Sequence, residues 1–190
     1  MTIWNSVFDE IRKGKVEISF KKIVLMMITK CWYSIATFKL EAPQKRDLKD
    51  AKTFWSRIIK FTPIVDIYTN RPVSLDDFSI DHFIPWSFVL HDQLWNLAPT
   101  PKAINSSKSD KLPQLDLYLD KFCNLHYHAF KTALTKQFST KLLEDYIEIS
   151  GEMIFSRDIR NEVFVNNLRD NLIPLHQLAF NQGFPVWENE

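Results

Sequence analysis

The 190-residue sequence has only three glycines and two cysteines. No glycines are spaced as a Walker A or dinucleotide fingerprint requires, so a glycine-rich phosphate loop is excluded. Cys31 and Cys123 lie far apart and outside any C-x-x-C pair, which argues against a disulfide framework and a cysteine zinc knuckle. Unpaired thiols are typical of a reducing compartment, and we therefore expect cytoplasmic localisation.

The sequence also lacks an excess of either charge and any long apolar run. The net charge is +1, so a DNA-binding surface must be local, because free-standing DNA-binding proteins usually carry a broad basic face. The best membrane candidate spans only residues 23–29, and a bilayer requires about 20 residues. The first residues mix charged and apolar side chains and do not resemble a signal peptide. We expect a soluble protein without membrane contact.

Helical patterns flank the middle of the chain. Hydrophobic residues make up 45% of the sequence, with 15 Phe and 6 Trp, which is enough for a sizeable core. Apolar residues three or four apart predict a helix over residues 17–38, a second helix from about Leu48, and further helices after residue 114. We expect regions 1–62, 63–113 and 114–190 to pack as one unit, because no linker separates them.

The central region has a different pattern. Residues 64–68 are β-prone, residues 70–72 carry a turn signal, and residues 78–81 alternate like a returning strand. The prolines around and within residues 86–101 predict an ordered loop. Residues 102–111 predict a short helix.

An ordered set of polar residues lies in this region. Asp81 and His82 end the second predicted strand, Asn96 lies in the loop, and Asn105 lies on the helix. An imidazole, with an unperturbed pKa of about 6.5, suits the role of a general base near neutral pH. Adjacent strand residues point to opposite faces, so Asp81 and His82 can share a site only at a strand end or bulge.

Two motifs resemble those of HNH endonucleases. They are DH-x-x-P at residues 81–85 and N-x-x-K-S-D at residues 105–110. Residues 68–73 also resemble the strand and turn that precede the Asp-His pair in this family. The resemblance covers residues 64–113 and is closest to the variant ending in Asn, as in the HNH domains of RNA-guided CRISPR effector nucleases. It implies an α+β fold, with a ββα-metal HNH core embedded in a mainly α-helical domain.

The resemblance also implies a role for each polar residue. Asp81 and Asn105 are expected to bind one divalent cation, and His82 is expected to be the general base. Asn96 is expected to hydrogen-bond across the loop and orient the imidazole. Carboxylate and amide oxygens are hard ligands, so Mg²⁺ or Mn²⁺ is favoured over zinc.

Three lysines are the expected nucleic-acid contacts: Lys102, Lys108 and Lys111. Lys108 lies one helical turn beyond Asn105 and is expected to reach the phosphate backbone. His91 is a possible auxiliary residue near the metal or substrate, and a structural hydrogen bond is the competing interpretation. The expected substrate is double-stranded DNA, with targeting by a second copy of the chain or a partner protein. Restriction or antiphage defence is the setting that the family suggests.

Each site residue also has a structural interpretation. Asp81 could serve a turn, His82 could be a hydrogen-bonded strand-end histidine, and Asn96 and Asn105 could cap the loop and the helix. Taken together, the motifs favour a metal-dependent DNA endonuclease. The alternatives are a non-catalytic nucleic-acid-binding module that keeps the fold, and a helical interaction or regulatory protein in which the motif is accidental.

Overall fold

The computed structural model describes residues 46–150 and 160–188. The helix predicted over residues 17–38 lies outside the described residues. The described part combines several helices with one two-stranded antiparallel sheet, so it is a mixed α+β structure. None of the helices in these two ranges is long and apolar enough to cross a membrane.

Helices are the main elements of the described chain. In chain order the elements are α1 (Lys49–Phe61), β1 (Phe78–His82), α2 (Trp86–Val89), β2 (Leu97–Pro101), α3 (Lys102–Lys108), α4 (Leu115–Thr135), α5 (Asp145–Ser150) and α6 (Asn161–Asn181). Short 3-10 turns precede β2 and α5. The helical patterns that begin near Leu48 and after residue 114 therefore form helices, as predicted.

The two strands pair in a register that places Asp81 opposite Ala98. The pairing continues one step beyond β1, where the Phe83 N–H donates to the Asn96 carbonyl at 2.8 Å. Hydrogen-bonded and non-hydrogen-bonded pairs alternate along an antiparallel ladder. Pro99 therefore falls at a non-hydrogen-bonded position, where its missing N–H costs no bond to β1.

This sheet corrects two predictions. Residues 64–68, predicted as the first strand, contribute only an isolated bridge between Val65 and Pro72. Residues 86–101, predicted as a loop, contain α2, a 3-10 turn and β2. Proline usually argues against a strand, but it is tolerated at positions that need no ladder hydrogen bond. β1 is therefore the first strand of the sheet, and β2 is the second.

Flanking elements fix the strands and α3 in place. Trp55 of α1 is fully buried, and its Nε1 donates to a β2 carbonyl at 2.9 Å. Phe83 packs on Phe122 of α4, with ring centroids 4.3 Å apart. Beyond α6, the Trp187 N–H donates to the Leu112 carbonyl at 2.7 Å. The predicted region boundaries after residues 62 and 113 stay predictions.

Candidate functional site

A polar cavity of about 340 Å³ opens beside β1 and α3. Its lining includes Asp81, His82 and Asn105, three of the residues that the sequence singles out, together with Arg46 and Trp86. β1 ends at His82 and the chain bends directly afterwards. Two consecutive residues can line one cavity here because the regular alternation of a strand stops at its end.

Two side chains one turn apart attach α3 to the free edge of β1. Asn105 Nδ2 donates to Ser79 Oγ at 3.0 Å and to the Ile80 carbonyl at 3.4 Å. Lys108 Nζ donates to the His82 carbonyl at 2.7 Å. Carbonyls two residues apart on a strand point to the same edge, and side chains three apart on a helix share a face. These two spacings bring α3 against the end of β1.

The Asp81 carboxylate is buried, with 2% of the residue exposed, and both of its oxygens are hydrogen-bonded. Oδ1 accepts from Lys108 Nζ at 3.1 Å, and Oδ2 accepts from the Tyr68 hydroxyl at 2.7 Å. Burial raises the pKa of Tyr68 well above its usual value, and the Asp81 charge adds to the shift. The phenol therefore stays protonated and remains a donor to the carboxylate.

The position of Lys108 differs from the prediction, which had its side chain reaching outward to a phosphate backbone. Its side chain is completely buried and bonds to Asp81 and to the backbone of His82. A buried carboxylate without a partner is strongly unfavourable, so the ammonium is drawn inward to compensate it. Lys102 and Lys111 are exposed and do not line the cavity.

A residue that the sequence interpretation missed, Asp92, holds the imidazole of His82. His82 Nε2 lies 2.8 Å from Asp92 Oδ1, and Asp92 Oδ2 accepts the Asp47 N–H at 2.7 Å. An ionised carboxylate can only accept hydrogen bonds, so Nε2 carries the proton and Nδ1 keeps its lone pair. Burial lowers the pKa of His82 below its usual 6.5, although Asp92 opposes the shift. The imidazole is therefore neutral at pH 7.

Asn96 fastens the chain just beyond His82. Its Oδ1 accepts the Ile84 N–H at 2.8 Å, and its Nδ2 donates to the Ile84 carbonyl at 2.9 Å. The side chain is fully buried, so these bonds are shielded from water. These bonds join the start of the segment between β1 and β2 to its end, and they fix the backbone just after His82.

His91 does not line the cavity. Its ring lies beside Trp95, with centroids 5.5 Å apart, and its Nδ1 accepts the Gln93 N–H at 3.4 Å. Burial, with a smaller contribution from the neighbouring His82, lowers the pKa of His91 to about 4. These contacts match the structural interpretation of His91.

Side chains with oxygen atoms of the kind that bind metal ions line the cavity. Each oxygen of a carboxylate accepts more than one partner, so Asp81 keeps capacity for a ligand beside its two hydrogen bonds. Because Asn105 Nδ2 is turned to β1, its Oδ1 has no hydrogen bond within the described part of the chain. That part also contains no group of three His, Cys, Asp or Glu side chains able to hold a metal. A second carboxylate, Asp110, lines the same cavity, and carboxylate and amide oxygens are the ligands that hard divalent cations prefer.

Comparison with known proteins identifies the same segment. Residues 66–114 match a family model described as HNH endonuclease. The HNH resemblance predicted from the two motifs is thereby confirmed for this part of the chain. No curated protein and no solved structure matches the sequence. An HNH domain indicates nuclease activity and nucleic-acid binding, and HNH nucleases generally use divalent metal ions.

Proposed function

We propose that the protein is a metal-dependent HNH endonuclease that hydrolyses phosphodiester bonds in double-stranded DNA. The observation that carries the proposal is that Asp81, His82 and Asn105, all within the segment that matches the HNH model, line the same cavity. In this proposal β1, β2 and α3 form the ββα-metal core of the family.

His82 acts as the general base. Its neutral Nδ1 takes a proton from the attacking water, and Asp92, bonded at Nε2, favours the imidazolium that forms. Asn96 acts at a distance, because it holds the backbone after His82 and so limits movement of the ring. Positioned proton transfer of this kind contributes about 10²–10⁴-fold to a rate.

Asp81 and Asn105 would hold the divalent cation, Mg²⁺ or Mn²⁺. When bound, the ion supplies neutralisation of the phosphate charge and stabilisation of the departing oxygen. Tyr68 and Lys108 keep the Asp81 carboxylate in one orientation through their two hydrogen bonds. Lys108 is therefore a positioning residue in this proposal and makes no DNA contact.

A non-catalytic nucleic-acid-binding module is the second candidate, and Lys108 is the observation that favours it. The buried ammonium already compensates the Asp81 charge, so the fold has no electrostatic need for a metal ion. Such a module would bind DNA equally well with or without divalent ions, and it would not cleave it.

Plasmid cleavage combined with metal titration separates the two candidates. Supercoiled plasmid is incubated with the protein in EDTA, in Mg²⁺ and in Mn²⁺, and Mn²⁺ binding is followed by isothermal titration calorimetry. We expect cleavage only with an ion, and we expect Asp81→Ala to lose both binding and cleavage. The exposed Asp77→Ala serves as the control and should keep both. DNA binding without cleavage in either ion would support the second candidate.

A further inference from the structure

Arg46 contributes a guanidinium to the cavity from outside the segment that matches the HNH model. It lines the same cavity as Asp81 and His82, although it lies 20 positions before residue 66, where the match begins. Its Cζ lies 4.9 Å from the ring centroid of Trp86, which also lines the cavity. An arginine placed over an aromatic ring keeps its planar donors available at the edge.

The backbone beside Arg46 is fixed by the carboxylate that also holds His82. Asp92 accepts the Asp47 N–H through Oδ2 and pairs with His82 Nε2 through Oδ1. One side chain thus joins the imidazole to the residue directly after Arg46. The arginine is held at its side chain by Trp86 and at its backbone by Asp92.

The cavity needs a cationic group for an anionic substrate, and none of the three candidate lysines lines it. Lys108 is buried against Asp81, while Lys102 pairs with Asp77 at 3.7 Å on the surface. Among the described residues that line the cavity, Arg46 is the one with a positively charged side chain, and it forms no ion pair there. A guanidinium also matches the geometry of a phosphate through two parallel hydrogen bonds.

We propose that Arg46 binds a phosphate of the DNA substrate next to His82. The inference rests on the proposed function and adds to it a substrate-binding residue supplied by the chain before α1. Since the contact is to the DNA phosphate backbone, Arg46 should contribute to the binding of DNA of any sequence.

The test measures binding of a labelled DNA duplex by fluorescence anisotropy in EDTA, over a range of salt concentrations. Arg46→Met removes the charge and keeps an apolar stem, and Arg46→Lys keeps the charge without the planar fork. Arg57→Met is the matched control, because the Arg57 guanidinium also lies over a ring, that of Phe138 at 3.6 Å, but does not line the cavity. Single-turnover cleavage in Mg²⁺ and Mn²⁺ is measured with the same variants.

We expect Arg46→Met to raise the Kd for duplex about 10- to 100-fold, the effect of losing a charged hydrogen bond. The slope of the logarithm of the association constant against log salt, which is negative, should also become smaller in magnitude by about 0.9, the loss of one phosphate contact. The Kd of Arg46→Lys should lie between those of the wild type and Arg46→Met, and the Kd of Arg57→Met should match that of the wild type.

The outcomes separate this inference from the proposed function. If the wild type cleaves DNA and Arg46→Met binds with the affinity and salt slope of Arg57→Met, the Arg46 assignment is wrong and the nuclease stands. If binding depends on Arg46 but neither ion supports cleavage, the assignment holds and the nuclease proposal fails. A wild-type protein that does not bind duplex at low salt would overturn both.

Discussion

Replacing Lys108 with Met should destabilise the protein by about 3–5 kcal/mol in the absence of divalent ions. The Lys108 and Asp81 side chains are 0% and 2% exposed, and Nζ lies 3.1 Å from Oδ1. Met has a similar length and fills the same space, so the main change is the loss of the ammonium. The Asp81 carboxylate is then left buried without a cationic partner, which is the costly state.

Thermal and urea unfolding in EDTA measure this loss. At about 2–4 °C per kcal/mol for a chain of this length, the melting temperature should fall by about 6–20 °C. Lys102→Met is the control, because the Lys102 side chain is 61% exposed and its ammonium lies 3.7 Å from Asp77. An exposed pair of that kind contributes at most about 1 kcal/mol.

A second variant and a metal titration identify the cause. The double variant Asp81→Asn with Lys108→Met should recover much of the lost stability, because neither buried charge remains. Added Mn²⁺ should stabilise Lys108→Met more than the wild type, since a cation at Asp81 would take the place of the ammonium. A Lys108→Met variant no less stable than Lys102→Met would refute the argument that the buried pair holds this site together.

Three further predictions concern single residues. Asp92→Asn should lower the single-turnover rate by about 10²–10⁴-fold with little change in KM, because an amide no longer imposes one imidazole tautomer; an unchanged rate would remove Asp92 from its positioning role. Asn105→Ala should weaken Mn²⁺ binding and cleavage with every ion, whereas Asn105→His should shift the preferred ion towards Mn²⁺, Ni²⁺ or Zn²⁺; wild-type cleavage by Asn105→Ala in Mg²⁺ would contradict this. Burial lowers the pKa of His126 to about 3, so the folded state binds fewer protons than the unfolded state and loses stability as the pH falls from about 6.5 towards 3. Between pH 7 and pH 5 the free energy of unfolding in urea should therefore decrease by about 2 kcal/mol less for His126→Gln than for the wild type. Equal decreases would argue against protonation of His126.

The motif residues were accessible from the sequence because their spacing follows local geometry. Asp81 and His82 lie at a strand end, and Asn105 lies on a short helix that directly follows a strand. The local structure at such positions is set by a few consecutive residues, and a pattern of consecutive residues can be recognised in a sequence. A helix over residues 102–111 and a strand over residues 78–81 were predicted for the same reason, and the structure has them at Lys102–Lys108 and Phe78–His82.

The misses depend on contacts between distant parts of the chain. β2 was hidden because its prolines argue against a strand until the register with β1 is known. Lys108 looked exposed because its inward turn depends on Asp81, 27 positions earlier. Arg46 and Asp92 belong to no periodic or spaced pattern, and only folding brings them to His82.

The most direct measurement of the central claim is the single-turnover cleavage rate of His82→Ala on plasmid DNA in Mg²⁺ and Mn²⁺. The account predicts a rate lower than wild type by about 10²–10⁴-fold in protein that circular dichroism shows to be folded, because the imidazole takes the proton from the attacking water. His91→Ala, whose ring lies outside the cavity, should cleave at close to the wild-type rate. Near-wild-type cleavage by a folded His82→Ala protein would contradict the account.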